Sequence, residues 1–377
     1  MEAKSDSSST PALQHSVPLF WPLAAAAAMG QAELELFRKN LKFLMEAQKV
    51  DLGLKPSFAT VNTVLLELHT QRLRAFGQSG AAAVPTLVIA PYAGHTAAIA
   101  DYHNGQSLVQ TLLAAGLGQV LVTDWNSATV QMKDYDIDNY LADLNVCIDD
   151  LGGRVNLVGL CQGGWMAAMY TARFPDRVPA LVLAGAPIDT HAGDGPLKKM
   201  VEASPPGFYE ELVALGGGLM RGRVMLRGWK NMHPDEQYLN KYVRLYQHID
   251  DPEYLSKTEA FSAWYENTID LPGRWYLQAI NELFKENRLA QGRFVGLGRQ
   301  LSLRDIRCPL YLLAGESDDI TPKEQVFAAD KLVGTPPQDI VKAVAPGGHI
   351  GLFMGSRPLR QFWPRIAKWI LEAPQRR

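Results

Sequence analysis

The chain of 377 residues is long enough to bury a large core, either as one elaborated domain or as a domain with an insertion. Its 37 basic and 39 acidic residues nearly cancel, which argues against nucleic acid as a partner. Three cysteines exclude a disulfide framework, and no spacing resembles a zinc site or a nucleotide-binding glycine loop. We therefore expect neither a metal nor a cofactor.

The N-terminal region divides into two parts. Residues 1–16 begin with a polar, serine-rich stretch and are predicted to be disordered. Residues 17–80 are predicted to be mainly helical, although the pattern at 61–76 fits a helix or a strand. The apolar run at 17–29 is too short to span a bilayer and lacks the basic lead-in of a secretory signal. We expect a cytoplasmic protein without a transmembrane span, which also suits a free reactive thiol.

An amphipathic stripe follows at residues 31–47. The ordinary interpretation is a helix that packs its apolar face on the main domain. The alternative is an interfacial helix that adsorbs to an apolar surface.

From residue 81 the hydrophobic pattern alternates between strands and helices. Buried-type strands are predicted at residues 86–91, 119–125, 155–160 and 180–184, with helical segments between them. Continuous Val, Ile and Leu runs that alternate with helices are typical of a parallel sheet covered on both faces.

The most informative stretch joins the strand at 155–160 to the helix after it. It reads Gly159-Leu160-Cys161-Gln162-Gly163-Gly164. A residue flanked by glycines at a strand-to-helix junction is typical of a nucleophile elbow, here with Cys161 as the nucleophile. The alternative is a small buried cysteine at a tight turn, because free cysteine often behaves as a core hydrophobe.

Two further strand ends carry the partners that a nucleophilic thiol needs. Asp318 and Asp319 follow an apolar strand, and His349 follows Gly347-Gly348 after the next strand. Nucleophile, acid and histidine in this order are typical of an α/β-hydrolase fold. We expect Cys161, Asp318 and His349 to form the triad, with Asp319 as the rival acid.

The alternation of strands stops after Pro187 and resumes at Pro309. We predict an α/β-hydrolase core at residues 81–190 and 304–377, a mostly parallel sheet with helices on both faces. The segment 191–303 lacks clear strands and is predicted to be a helical cap over the site.

The oxyanion hole should use the backbone N–H of Gln162 and a second donor in the loop after the early strand, at Tyr92 or Ala93. His95 in the same loop is interpreted as a residue that fixes the loop rather than as a second base. His95, Trp165, Trp264, Trp275 and Tyr276 are also candidates for lining a groove for an apolar substrate. The ordinary interpretation of the cap aromatics is that they form the core of the cap.

The sequence resembles two families of Cys-dependent α/β-hydrolase relatives, the polyhydroxyalkanoate synthases and the intracellular polyhydroxyalkanoate depolymerases. The elbow at residues 159–164 resembles the synthases, and it departs from the depolymerases, which usually lack the second glycine pair. Several other stretches are more similar to the depolymerases, at residues 90–95, 123–126, 136–140, 186–190, 275–278, 315–320 and 348–353. The resemblance implies the same roles for Asp318 and His349 and a polyester or hydroxyacyl-CoA substrate.

Because more stretches resemble the depolymerases, the sequence favours hydrolysis of a polyhydroxyalkanoate over its synthesis. The alternative is a synthase in which Cys161 carries the growing chain. A third hypothesis is a granule-associated protein without activity, suggested by the apolar N-terminal region. The sequence leaves a homodimer open.

Overall fold

A computed structural model describes residues 31–52, 54–78, 84–232 and 240–373. The stretch predicted to be disordered, residues 1–16, and the apolar run at 17–29 lie outside these residues. Among the described residues, no helix combines the length and the apolar character needed to cross a membrane.

The described residues form an eight-stranded central sheet. Its strands, in chain order from β1 to β8, are Thr63–Glu67, Gln71–Gly77, Thr86–Ile89, Gln119–Trp125, Asn156–Leu160, Leu181–Ala184, Leu310–Gly315 and Ile340–Ala345. Their order in the sheet is β1-β2-β4-β3-β5-β6-β7-β8. β1 pairs antiparallel with β2, β2 pairs antiparallel with β4, and all other neighbours are parallel.

Helices cover both faces of the sheet, and this explains the continuous apolar character of the inner strands. Every residue of β3, β5, β6 and β7 is buried, as expected for parallel strands enclosed by helices. The α/β-hydrolase fold predicted from the sequence is confirmed. Outside residues 191–303, the α-helices among the described residues are Gln31–Leu52, Leu108–Ala114, Ile137–Asp150, Gln162–Arg173, Lys323–Phe327, Ala329–Leu332, Gly351–Met354, Ser356–Gln361 and Trp363–Glu372.

The N-terminal region is less helical than expected. After the helix Gln31–Leu52 the chain forms β1 and β2, so the prediction of a mainly helical region at 17–80 is corrected from residue 63 onwards. In β2, buried and partly exposed residues alternate, and the partly exposed Arg74 pairs with Asp124 of β4 at 2.7 Å. This period of two is that of a strand with one face buried.

The helix Gln31–Leu52 packs against helices of the cap rather than against the sheet. Its Phe43 ring meets the ring of Tyr246 edge-on at 5.4 Å, and Asn40 accepts a hydrogen bond from the Tyr246 hydroxyl at 3.0 Å. Leu44 and Met45 remain more than half exposed. Part of the apolar stripe therefore faces outward.

The cap region at 191–303 is mainly helical, and it also contains short strands that the sequence pattern did not indicate. Leu219–Met220 pairs with Leu271–Pro272, and Val295–Gly296 pairs with Arg299–Gln300. Strands of two residues are too short to produce a periodic pattern. In the part of this region that the structure describes, the helices are Pro196–Ala203, Phe208–Leu215, Gly222–Met232, Lys241–Gln247, Pro252–Glu266 and Gly273–Gln278, followed by the π-helix Ala279–Lys285.

Candidate active site

Cys161 occupies a sharp turn between β5 and the helix Gln162–Arg173, here called the elbow helix. Its backbone has φ +51° and ψ −119°, a region that side-chain-bearing residues rarely adopt. Hydrogen bonds hold this backbone on both sides: its N–H donates to the Ala184 carbonyl at 2.9 Å, and its carbonyl accepts from the Gly164 N–H at 2.8 Å. The strained turn places the thiol at the carboxyl edge of the parallel strands, where functional side chains of such sheets gather.

The glycines around Cys161 are required by the close approach of strand and helix. A Cβ atom at Gly159 would lie 2.4 Å from the Cα atom of Gly164. A Cβ atom at Gly163 would lie 2.1 Å from the carbonyl oxygen of Ile89, at the end of β3. At Gly164 it would lie 2.2 Å from the Cβ atom of Ala186. The Gly-x-Cys-x-Gly-Gly pattern is therefore a packing requirement of this turn.

His349 and Asp318 meet at the same edge of the sheet. The Nδ1 atom of His349 lies 2.8 Å from Oδ2 of Asp318. The other carboxylate oxygen of Asp318 accepts backbone hydrogen bonds from Ile320 and Thr321 at 3.1 and 2.8 Å. These amides fix the orientation of the carboxylate, and the structure thus places Asp318, rather than Asp319, against the histidine.

The electrostatics of His349 link it to both neighbours. Burial alone would lower the pKa of its imidazole, but the charges of Cys161 and Asp318 and the hydrogen bond with Asp318 outweigh it. The pKa of His349 is raised well above its usual value of 6.5. An imidazole held between a thiol and a carboxylate can accept the thiol proton and keep it as a stabilised imidazolium.

Contacts that sequence reasoning missed hold the acid and the histidine loops together. The N–H of Glu316 donates to the Ala345 carbonyl at 2.8 Å, and that of Ser317 donates to the Gly347 carbonyl at 3.2 Å. On the other side, a Cβ atom at Gly185 would lie 3.3 Å from Cε1 of His349. Gly185 has φ +56° and directly follows β6. A glycine at the end of a strand was the only feature of the sequence that could have indicated its place beside His349.

The three side chains are enclosed. Cys161, Asp318 and His349 are 9%, 7% and 8% exposed. A cavity of about 550 Å³ opens elsewhere, between the cap and the loop before the helix Ile137–Asp150, and none of the three residues lines it.

Among the described residues, no group of three or more His, Cys, Asp or Glu side chains could hold a metal ion.

The loop after β3 lies directly beside the elbow, because Gly163 packs on the carbonyl groups of Ile89 and Ala90. The hydroxyl of Tyr92 is engaged away from the elbow, where it contacts the Tyr140 hydroxyl at 2.9 Å. The backbone N–H groups of Tyr92 and Ala93, rather than the Tyr92 hydroxyl, therefore remain the candidates for the second oxyanion donor beside Cys161. Gln162 begins the elbow helix, and its Oε1 atom is buried without a hydrogen-bond partner in the described part of the chain.

His95 connects the same loop to the cap. Its Nε2 atom lies 2.9 Å from the carbonyl oxygen of Tyr265. Burial lowers the pKa of His95 to about 4, hydrogen bonds with the backbone of Tyr265 and Ala93 oppose this effect, and the charge of Lys230 adds to it. The ring is therefore neutral near pH 7. In this position His95 connects the loop to the cap.

The aromatic side chains considered for a substrate groove pack inside the protein. Trp165, Trp264 and Trp275 are at most 4% exposed, and the rings of Trp165 and Trp275 stack at 5.7 Å. Tyr276 is partly buried and lies 6.1 Å from the Tyr209 ring. With the cap in this position these residues contribute to the core, and a groove at Trp165 or Trp275 would require the cap to move.

A family model described as "Protein of unknown function (DUF3141)" matches residues 33–361 of the sequence. The chain belongs to this family. The match includes the elbow, Asp318 and His349 together with the whole cap region.

Curated relatives carry a more specific name. The poly(3-hydroxyalkanoate) polymerase subunit PhaC of Allochromatium vinosum is 27% identical over 356 residues, which cover 91% of this chain and 96% of that protein. The protein of the same name from Haloferax mediterranei is 28% identical over 281 residues, 73% of this chain, but the chain spans only 56% of its length. Relatives named as polymerases confirm the prediction of an enzyme, and they favour the synthase alternative over the hydrolysis that the sequence analysis preferred.

Solved structures support the fold. A carboxylesterase structure from Nitrososphaera gargenis superposes with a TM-score of 0.50 at 16% identity, covering 84% of this chain and 99% of that one. At this identity the likeness concerns the α/β-hydrolase fold alone.

Proposed function

We propose that this protein is an acyltransferase that polymerises 3-hydroxyacyl groups from coenzyme A thioesters, with Cys161 as the acyl carrier. The observation that carries the proposal is the contact of His349 with Asp318 at 2.8 Å beside a thiol on a strained elbow. The relatives named poly(3-hydroxyalkanoate) polymerase support the choice of substrate.

The first step transfers an acyl group to the protein. His349 takes the proton of Cys161, and the sulfur attacks the carbonyl carbon of the 3-hydroxyacyl thioester. The oxyanion that forms is stabilised by the backbone N–H of Gln162 and by a second N–H at Tyr92 or Ala93. The bond between the carbonyl carbon and the coenzyme A sulfur breaks, and His349 returns the proton to the departing thiolate.

The second step extends the chain. The hydroxyl group of another 3-hydroxyacyl unit gives its proton to His349 and attacks the carbonyl carbon of the Cys161 acyl adduct. The carbon–sulfur bond breaks, His349 returns the proton to the sulfur and so restores the thiol of Cys161, and a new ester bond has formed. Asp318 keeps Nδ1 of the imidazole protonated, so that Nε2 serves as the base in both steps.

The enclosure of the site supports transfer to an alcohol rather than to water. A thioester to Cys161 is equally open to attack by either nucleophile, and the outcome depends on which one reaches it. Cys161 and His349 are at most 9% exposed in the closed arrangement. Exclusion of bulk water protects a reactive acyl intermediate from hydrolysis. Hydrolysis of a stored polyester in the cytoplasm or at a granule is the competing outcome that an experiment must separate.

Two assays on the purified full-length protein separate these reactions. Incubation with 3-hydroxybutyryl-CoA is expected to release free coenzyme A and form insoluble polymer. Incubation with amorphous polyhydroxybutyrate is expected to release no soluble acid. Soluble 3-hydroxybutyrate from the polymer, without polymer formation from the thioester, would contradict the proposal.

Variants of the cysteines provide the matched control. Cys161→Ala should abolish coenzyme A release, whereas Cys308→Ala, at another buried cysteine remote from the elbow in sequence, should retain it. Unchanged activity of Cys161→Ala would favour a protein whose triad is not used.

A further inference from the structure

The loop at residues 91–96, here called the oxyanion loop, is fastened to a segment of the cap at residues 264–270. The fastening is continuous along the loop, because both its backbone and its side chains take part. Two side chains of the loop donate to the cap: His95 Nε2 to the Tyr265 carbonyl at 2.9 Å, and the Tyr92 hydroxyl to the Asp270 carbonyl at 3.2 Å. Two groups of the cap donate to the loop: the Ile269 N–H to the Gly94 carbonyl and Trp264 Nε1 to the Thr96 carbonyl, both at 2.9 Å.

His95 lies at the centre of this junction. Its ring stacks on the ring of Tyr265 at 5.4 Å with an interplanar angle of 11°, and it lies 4.8 Å from the ring of Trp264. The residue is 8% exposed. A neutral imidazole carries one N–H group, and the 2.9 Å contact with the Tyr265 carbonyl, which can only accept, assigns that N–H to Nε2. His95 thus contacts both the oxyanion loop, of which it is part, and the cap.

The loop needs such a support because Gly94 leaves its backbone free to adopt other conformations next to Ala93. Gly94 has φ +88°, a conformation that glycine adopts and leaves at little cost. An oxyanion donor must be held in place before the charge develops, because a donor that has to reorganise contributes far less. The contacts with residues 264–270 supply this rigidity from outside the loop.

We propose that His95 is a positioning residue that sets the oxyanion loop beside Cys161 through its hydrogen bond with the Tyr265 carbonyl. Formation of the oxyanion hole then depends on the docking of the cap, so that the thiol is competent in acyl transfer with the cap in place. This inference rests on the proposed acyl-transfer function and deepens it.

Two substitutions separate the hydrogen bond from the packing of the ring. His95→Phe keeps an aromatic ring between Tyr265 and Trp264 and removes the donor. His95→Gln keeps an N–H donor at a similar distance along the side chain and removes the ring. Acylation is followed with 4-nitrophenyl butyrate in single turnover and with 3-hydroxybutyryl-CoA in steady state. Alkylation of Cys161 by iodoacetamide is measured in parallel, because displacement of iodide forms no oxyanion.

His95→Phe is expected to lower the acylation rate and kcat roughly a hundredfold, the usual effect of losing one oxyanion donor, with little change in KM. His95→Gln should restore most of this loss. The rate of Cys161 alkylation should stay unchanged in both variants. His191→Phe is the matched control, since it removes another hydrogen bond from a histidine ring to a backbone carbonyl, that of Phe284 at 3.0 Å, and it should acylate at the wild-type rate.

Three results would overturn the proposal: normal acylation in His95→Phe, equal losses in His95→Gln and His95→Phe, or a parallel fall in alkylation, which would indicate damage to the thiol itself. The ester readout is independent of the physiological acyl donor. If the wild type reacts with 4-nitrophenyl butyrate but not with 3-hydroxybutyryl-CoA, the proposed function fails while the role of His95 is still decided by the ester.

Discussion

An electrostatic interaction with His349 distinguishes Cys161 from Cys147 and Cys308. Cys147 is buried in a helix, where burial raises the pKa of its thiol to about 12. Cys308 lies two residues before β7 and is 2% exposed. Thiol reactivity follows the fraction of thiolate and access to the reagent, and His349 offers Cys161 a proton acceptor.

Under native conditions iodoacetamide should therefore label Cys161 first. Peptide mass spectrometry over a time course measures the three rates, with the denatured protein as the control in which all three thiols react. Equal labelling of the three cysteines in the folded protein would count against a Cys161–His349 pair.

Replacing Asp318, the proposed triad acid, should change the titration of His349. Asp318 raises the pKa of His349 through its charge and its hydrogen bond, so Asp318→Asn should lower this pKa. The acylation rate should fall by roughly a hundredfold or more, because the imidazole loses its orientation and the stabilisation of its charged form.

A titration of ¹³C-labelled histidine by NMR measures the shift in His349. Asp319→Asn is the matched control and should leave the pKa of His349 near its wild-type position. The assignment of the acid would have to be reversed if Asp319→Asn, and not Asp318→Asn, lowered it.

The choice between these two acids shows where sequence reasoning reaches its limit at the residue scale. Asp318 and Asp319 follow the same strand, and either carboxylate satisfies the required order along the chain. The structure separates them by the two backbone amides that hold Asp318 against His349. The carbonyl partner of His95 was equally inaccessible, since Tyr265 lies 170 residues further along the chain.

At the scale of elements, the elbow was predictable because its glycines and the flanking strand are local in sequence. The sequence pattern left the first two strands open between a helix and a strand, since β1 is an edge strand with apolar residues exposed on both of its faces, Val64 and Leu65 among them. It therefore lacks the alternation that identifies a strand with one buried face. The short strands of the cap depend on pairing between distant segments and leave no periodic signal.

The elbow glycines give a direct test of packing. Gly163→Ala would place a Cβ atom 2.1 Å from the carbonyl of Ile89, so we expect a destabilisation of about 1–3 kcal/mol together with displacement of the oxyanion loop. Gly228→Ala is the control. Apart from the backbone of its own helix, no atom lies within 4 Å of a Cβ atom placed at Gly228. Alanine there favours the helix by roughly 0.5–1 kcal/mol.

Urea unfolding of the two variants and the wild type measures both effects. The same small change in stability for Gly163→Ala and Gly228→Ala would contradict the close packing of the strand against the elbow helix.

At the scale of the whole molecule, the buried His95 makes stability depend on pH. Its pKa is about 4 in the folded protein and near the ordinary 6.5 in the unfolded chain, so the unfolded chain binds more protons between these limits. Above pH 6.5 the ring is neutral in both the folded and the unfolded state, so it does not change the free energy of unfolding. This free energy falls as the pH drops from 6.5 towards 4. At about pH 5 the wild type should have lost about 2 kcal/mol through this group.

His95→Gln removes the titrating group and should lack this part of the acid sensitivity. The measurement is the free energy of unfolding of both proteins at neutral pH and near pH 5. An identical loss in the two proteins would mean that His95 does not titrate in the manner its burial implies.

The proposed chemistry as a whole depends on the thiol of Cys161 forming a covalent adduct with the acyl group of a coenzyme A thioester. Mass spectrometry of the peptide containing Cys161, after brief exposure of the full-length protein to 3-hydroxybutyryl-CoA and acid quenching, tests this step directly. We predict a 3-hydroxybutyryl group on Cys161 that is absent in His349→Ala. Release of coenzyme A with an unmodified Cys161, or with the acyl group on a different residue, would contradict this chemistry.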